Sequence, residues 1–172
     1  IYYFQGRYAD AMNMNEEAIK LGKNDHLIWG NLADAYQYTP GYSIKAPQAY
    51  QTAIQLAEKA LLEDPGSAQI RSSLAVYYAK SGNQEKALAE ISEALKKNPE
   101  DVGVLLKSML VFEISNQRSQ ALQALQKYVE LNGPLEEVLK DPFFSRLRKD
   151  PDFQKLTRKE EKTQSDSAYV KK

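Results

Sequence analysis

Two prolines 34 residues apart constrain this chain more than any other feature. Pro65 closes LLEDP and Pro99 closes LKKNP, and counting back from each, the same residue types fall at the same offsets. In the segment from Ala68 these are Leu74, Ala75, Tyr78, Gly82, Ala87, Ile91 and Ala94. In the segment from His26 they are Trp29, Leu32, Ala33 and Tyr36, then, after about eight extra residues, Ala53, Leu56, Ala57 and Ala60. The segment from Val102 keeps Phe112, Ala121 and Leu125 but carries Met109 and Tyr128 where the others have alanine. The first residues, YYFQGRYADAM, look at first like a tag remnant, yet Tyr2, Gly6, Ala11 and Ala18 fit the same frame, so they read as a repeat cut in half.

The pattern dictates its own architecture. Apolar residues at helical spacing in SLAVYYA and ALAEISEAL give two amphipathic helices, joined at SGN, where glycine can take the positive φ that closes a helix. Each repeat is therefore a helical hairpin, with a helix A and a helix B. Alanines 75, 87 and 94 mark the closest helix–helix approaches, because ridges interlock at about 8–10 Å only when the contact residues are small. Pro65 and Pro99 lack an N–H and disfavour a helical predecessor, so each stops a helix B and turns the chain into the next hairpin. A single hairpin cannot hide its apolar face. Stacking supplies the core and leaves a superhelix with a concave side.

These rules divide the chain as 1–25, a truncated first repeat holding the end of a helix A and a helix B; 26–67, a repeat with an inter-helix insertion at 39–48; 68–101, a repeat; 102–133, a degenerate repeat; 134–157, capping helices; and 158–172, a disordered tail. Pro40, Gly41 and Pro47 identify the insertion TPGYSIKAPQ as a loop, and Tyr42 with Lys45 are its candidate partner contacts. Near the end KDPFFSRL is followed by KDPDFQKL, each giving aspartate as N-cap, proline at N1, then phenylalanine and leucine on one face. They read as short helices folding back over the last hairpin. The stretch TRKEEKTQSDSAYVKK beyond them is polar and almost without large apolar residues.

Composition narrows the partners. Lys+Arg and Asp+Glu both number 23, so no global field favours nucleic acid or an anionic membrane surface. No apolar run approaches the roughly 20 residues that span a bilayer; Lys107 and Glu113 interrupt VGVLLKSMLVFEI. Arg7 and Asp10 stand where a signal peptide would keep an uncharged run. Cysteine is absent, which removes disulfides and thiolate metal sites but leaves the compartment open, with a cytoplasmic setting slightly favoured. No cofactor, metal or catalytic constellation is expected. The chain has one histidine, His26, and no G-x-S-x-G, P-loop or G-x-G-x-x-G, while carboxylate pairs such as Glu16 and Glu17 are adjacent on a helix and point apart.

The repeat frame resembles the tetratricopeptide repeat family up to about residue 133. The resemblance implies an all-α, right-handed α-solenoid of helical hairpins with a C-terminal helical cap. WGNLADAY, the proline-containing insertion, AIQLAEKAL, SLAVYYAKSG and the closing DPFFSRLRKDPDFQKL resemble more narrowly the C-terminal repeat region of large bacterial signalling proteins, serine/threonine protein kinases among them. That implies a regulatory or partner-binding segment; a kinase's own glycine-rich loop, HRD and DFG do not occur here.

In such repeats helix A lines the groove, and its second, fifth, ninth and twelfth positions face inward. Carried over, these are Leu27, Gly30, Asp34 and Gln37, then Gln69, Ser72, Val76 and Ala79, then Gly103, Leu106, Leu110 and Glu113. Some family members hold a peptide's terminal carboxylate with lysine, asparagine and arginine at set places. Here only Asn31 resembles one of them, and Gln69 and Ser73 stand where a lysine and the arginine would be. The expectation is a non-catalytic module whose concave groove binds a peptide or partner domain through apolar contacts and side-chain amides. The alternative is an oligomerisation segment, a homodimer formed through the N-terminal repeat edge at Tyr2 and Tyr3.

Overall fold

A computed structural model describes residues 2–157. Their architecture is a helical solenoid: α1 (Tyr8–Lys20), α2 (His26–Tyr38), α3 (Ala46–Glu63), α4 (Ala68–Lys80), α5 (Gln84–Lys97), α6 (Val102–Ile114), α7 (Arg118–Glu130) and the short α8 (Leu135–Lys140). No helix among the described residues is long and apolar enough to cross a membrane.

Local chemistry sets the ends of these helices. Asp25 caps α2 by accepting from the Leu27 and Ile28 N–H groups at 2.8 and 2.9 Å, and Asp101 caps α6 through the Val104 N–H at 2.8 Å. Ser67 and Asn83 cap α4 and α5 in the same way. Gly82 closes α4 at φ 83°, and in the degenerate repeat Asn116 takes the glycine's place at φ 57°, a conformation asparagine tolerates better than most residues.

The helices pack as antiparallel pairs α2/α3, α4/α5 and α6/α7, with α1 against α2 and α4 against α6. Ala33, Ala53, Ala57, Ala75, Ala87, Ala94 and Ala121 are fully buried, as small contact residues between close helices must be. Met109 and Tyr128 are fully buried too. Tyr128 fits because its ring lies over Gly133, where a Cβ would come within 2.5 Å of it, and its hydroxyl donates to the Pro134 carbonyl at 3.0 Å.

Three boundaries differ from the sequence reading. The insertion between α2 and α3 is shorter than 39–48: α3 begins at Ala46, so 46–48 are helical and only Thr39–Lys45 connect, with a 3-10 turn at Ser43–Lys45. Pro47 had suggested loop, but a proline in the first turn gives up no intrahelical hydrogen bond. The first KDPFF segment forms a 3-10 turn at Pro142–Ser145 rather than an α-helix, while 151–157 are α-helical; Asp141 and Asp150 accept from the Phe143 and Asp152 N–H groups, both at 2.9 Å. Residues Tyr3–Gln5, expected as the end of a helix A, form a 3-10 turn closed by Gly6 at φ 72°. The expected tail, 158–172, lies outside the described residues.

Candidate functional site

Helices α2, α4 and α6 form the concave side. Its helix-A residues meet the N-terminal turn and the C-terminal cap, and together they line an open cavity of about 880 Å³. One wall is Tyr2–Gln5 and Arg7 with Met14 of α1; another is Asp141 and Phe144 of the C-terminal cap; the floor is Val76, Tyr77, Leu106 and Leu110. Most of this lining is carbon, so apolar side chains rather than ions dominate what the cavity can hold.

Helices α2 and α4 meet through long side chains. Tyr77 reaches from α4 across Gly30, where a Cβ would stand 2.4 Å from the ring. Its hydroxyl donates to the His26 carbonyl at 3.0 Å and lies 3.2 Å from His26 Nδ1. Burial holds the Tyr77 hydroxyl well above its usual value and pushes the His26 imidazole below its own. Gly30, read from sequence as an inward groove position, is thus roofed by Tyr77, and the ring supplies the cavity surface there.

The side chain of Lys80, also on α4, is only 3% exposed, yet its ammonium is satisfied: Nζ donates to Asp34 Oδ1 at 2.6 Å and sits 4.3 Å from the Phe143 ring centre. The Tyr50 hydroxyl donates to the same Asp34 oxygen at 2.5 Å. Phe143 is edge-on to Tyr38, and Tyr38 in turn packs against Tyr3 and Tyr8. Residues from α2, α3, α4, the cap and the N-terminal turn therefore converge on one buried cluster. Burial pushes the Asp141 carboxyl above the ordinary range, with Asp34 adding to the shift and Lys80 opposing it. The Tyr3 hydroxyl is buried without a hydrogen-bond partner, and burial pushes it upward strongly.

The structure distributes the expected groove residues unevenly. Leu27, 49% exposed, and exposed Asn31 line the cavity with half-buried Asp34 and Leu106; Ser73, Val76 and Leu110 line it too but are nearly covered. Ser72 is fully buried, its hydroxyl donating to the Gln69 carbonyl at 2.9 Å, and does not reach the cavity. Glu113 is turned to the cap, paired with Arg118 at 3.2 Å and Arg146 at 3.9 Å; burial nevertheless raises its carboxyl. Gln69 is exposed but donates to Asp101 Oδ2 at 2.9 Å, and exposed Gln37 lies outside the cavity. The Tyr42 ring stacks on Tyr36 of α2, and Lys45, which stays exposed, carries its Nζ 4.9 Å from the Tyr42 ring centre. Tyr2 and Tyr3, read as an open edge, fold into the cavity wall.

Sequence reasoning missed Tyr77, Lys80, Lys107 and Asp141 as parts of this surface. Lys80 and Lys107 look like solvated charges in a helical pattern, and Lys80 is interior because Asp34 of α2 and Phe143 of the returning cap close over it. The Asp-Pro-Phe-Phe motif was visible, but its insertion on the concave side was not.

No curated protein matches this chain. Residues 46–110, from the start of α3 into α6, match the family model for the tetratricopeptide repeat, which with the stacked antiparallel helix pairs supports a tetratricopeptide-type helical array.

Proposed function

We propose that this chain is a non-catalytic protein-interaction module that receives a short segment of a partner protein in its concave cavity. One observation carries the reading: the concave side keeps an open, mainly apolar cavity of about 880 Å³ although the Tyr2–Arg7 turn and the C-terminal cap fold into it, and Leu27 stays half-exposed at its lip. Repeats of this family commonly mediate protein–protein contacts, and a rigid stack of hairpins presents such a surface without ordering cost at the moment of binding. Because the Tyr2–Arg7 turn and the cap bound the cavity, it suits a short anchored segment better than a long helix lying along an open groove. The resemblance of WGNLADAY through DPFFSRLRKDPDFQKL to the repeat regions of bacterial signalling proteins supports reading the module as a regulatory segment of a larger signalling protein.

Site-specific photo-crosslinking tests the reading. A photoreactive residue at Asn31, at the lip, is expected to trap a discrete partner segment, and the same group at Gln55, on the exposed face of α3, is not. The purified partner should then lose affinity at least tenfold for Leu27→Asp. Equal trapping at both positions, or a partner indifferent to Leu27→Asp, would remove the cavity from the account.

A further inference from the structure

Lys107 combines access with poor solvation. It follows Leu106 on α6 and stands half-buried in the cavity wall, among Leu27, Val76 and Leu110. Among the described residues its amine makes no salt bridge. Lys80, by contrast, is closed off by Asp34, while Lys96 and Lys140 are exposed to water and paired with Glu93 and Glu136. The carboxylate that acts on Lys107 is Asp101, and both of its oxygens are engaged: Oδ1 accepts the Val104 N–H that caps α6, and Oδ2 accepts Gln69 Nε2. The other titratable group that feels the Lys107 charge is His26, whose imidazole it helps to hold neutral.

An ammonium in an apolar wall loses hydration, and burial accordingly pushes the Lys107 amine below its ordinary value. The neutral amine is the nucleophile; the ammonium is not. Each unit by which a lysine pKa falls gives about tenfold more free amine at neutral pH. The weaker base attacks more slowly, but with a Brønsted slope of about 0.4–0.5, as for thiols, that loss offsets only about half of the gain on a logarithmic scale. We infer that Lys107 is a covalent acylation site, its Nζ taking an aliphatic acyl group from a small thioester whose chain lies in the cavity against Leu27, Leu106 and Leu110. The Nζ lone pair attacks the thioester carbonyl carbon, an N–C bond forms as the C–S bond breaks, and the departing sulfur takes up the proton that nitrogen sheds. The products are an amide and a free thiol. The amide is neutral, so acylation also removes the charge from the apolar wall. None of this depends on a partner segment entering the cavity.

Two thioesters test the site: S-octanoyl-N-acetylcysteamine and S-acetyl-N-acetylcysteamine, each given in limiting amount to the whole chain at neutral pH. Acylation is then quantified lysine by lysine with peptide mass spectrometry. The octanoyl donor is expected to label Lys107 about tenfold faster than exposed Lys96, and the acetyl donor to show a smaller lead, because only the longer chain is held beside the amine. Unfolding in urea should erase the lead. Leu27→Gln, a neutral change at the half-exposed lip, should bring the two donors closer together while leaving acetylation of Lys107 unchanged. Lys107 labelled no faster than Lys96 by the octanoyl donor would overturn the site. An equal lead with both donors, or a lead that survives urea, would overturn the seating of the chain in the cavity and with it the inference. Neither result touches the crosslinking at Asn31, which decides the interaction reading separately.

Discussion

Replacing Lys80 with methionine is the most revealing single perturbation of this fold. The side chain is buried, its ammonium 2.6 Å from Asp34 and 4.3 Å from the Phe143 ring centre. Methionine keeps most of the volume and removes the charge, leaving the carboxylates of Asp34 and Asp141 in a poorly solvated wall. Breaking a buried pair from one side costs about 3–5 kcal/mol. Asp34 keeps the Tyr50 hydroxyl and is 21% exposed, which places its share near the lower end, about 3 kcal/mol. The lost contact with Phe143 adds about 1 kcal/mol. With a urea dependence of about 2 kcal/mol per molar, the midpoint should fall by about 2 M in a denaturation followed by circular dichroism.

The pH dependence gives that prediction a second handle. Burial already holds the folded-state Asp141 pKa above its unfolded value, and Lys80 is one of the groups opposing the shift. The folded protein then binds a proton that the unfolded chain has released. Stability from this group therefore rises as pH falls through the folded pKa toward the unfolded value of about 3.9. Without Lys80 the folded pKa moves higher still. The loss in Lys80→Met should be largest at neutral pH and shrink as the pH falls toward the raised folded pKa of Asp141, and adding Asp141→Asn should recover part of it and flatten the profile. A loss below about 1 kcal/mol at pH 7, or one that grows as the pH is lowered, would refute the buried cluster as the tie between repeats and cap.

Two further substitutions test the packing of the concave side. Gly30→Ala places a methyl 2.4 Å from the Tyr77 ring and should destabilise by about 1–3 kcal/mol, read as a lower Tm, with Tyr77→Leu in the same chain relieving part of the loss. Tyr3→Phe removes a buried hydroxyl that has no partner and should raise stability by about 1 kcal/mol in the same urea assay, whereas a loss of that size would mean the hydroxyl is satisfied.

Much of this fold is legible in the sequence because its signals are local. The prolines at 65 and 99, the glycine at 82 and the buried alanines each act within one hairpin, so a period of 34 carries them from repeat to repeat. Pro47 misled because the same residue that stops a helix interior is welcome in a first turn. The site was less legible. Helical spacing names the face of α4 and α6 that turns inward, but it says nothing of which remote segment covers it. Val76, Leu110 and Glu113 are buried by elements that include a cap beginning more than twenty residues beyond α6, and Lys80 is interior through Asp34 and Phe143, which come from opposite ends of the array. What remains open of the expected groove within the cavity is Leu27, Asn31 and Leu106, joined by Lys107, which helical spacing had not named.

The most direct test is the Kd of the crosslinked partner, measured with purified components, for wild type, Leu27→Asp and Gln55→Asp. Leu27 is half-exposed in the first turn of α2, where aspartate suits the helix dipole, so the fold should tolerate the change. Binding weakened at least tenfold by Leu27→Asp and untouched by Gln55→Asp is the predicted result. Unchanged binding in Leu27→Asp, or a loss confined to Gln55→Asp, would place the partner on the outer surface and contradict the concave cavity as the site.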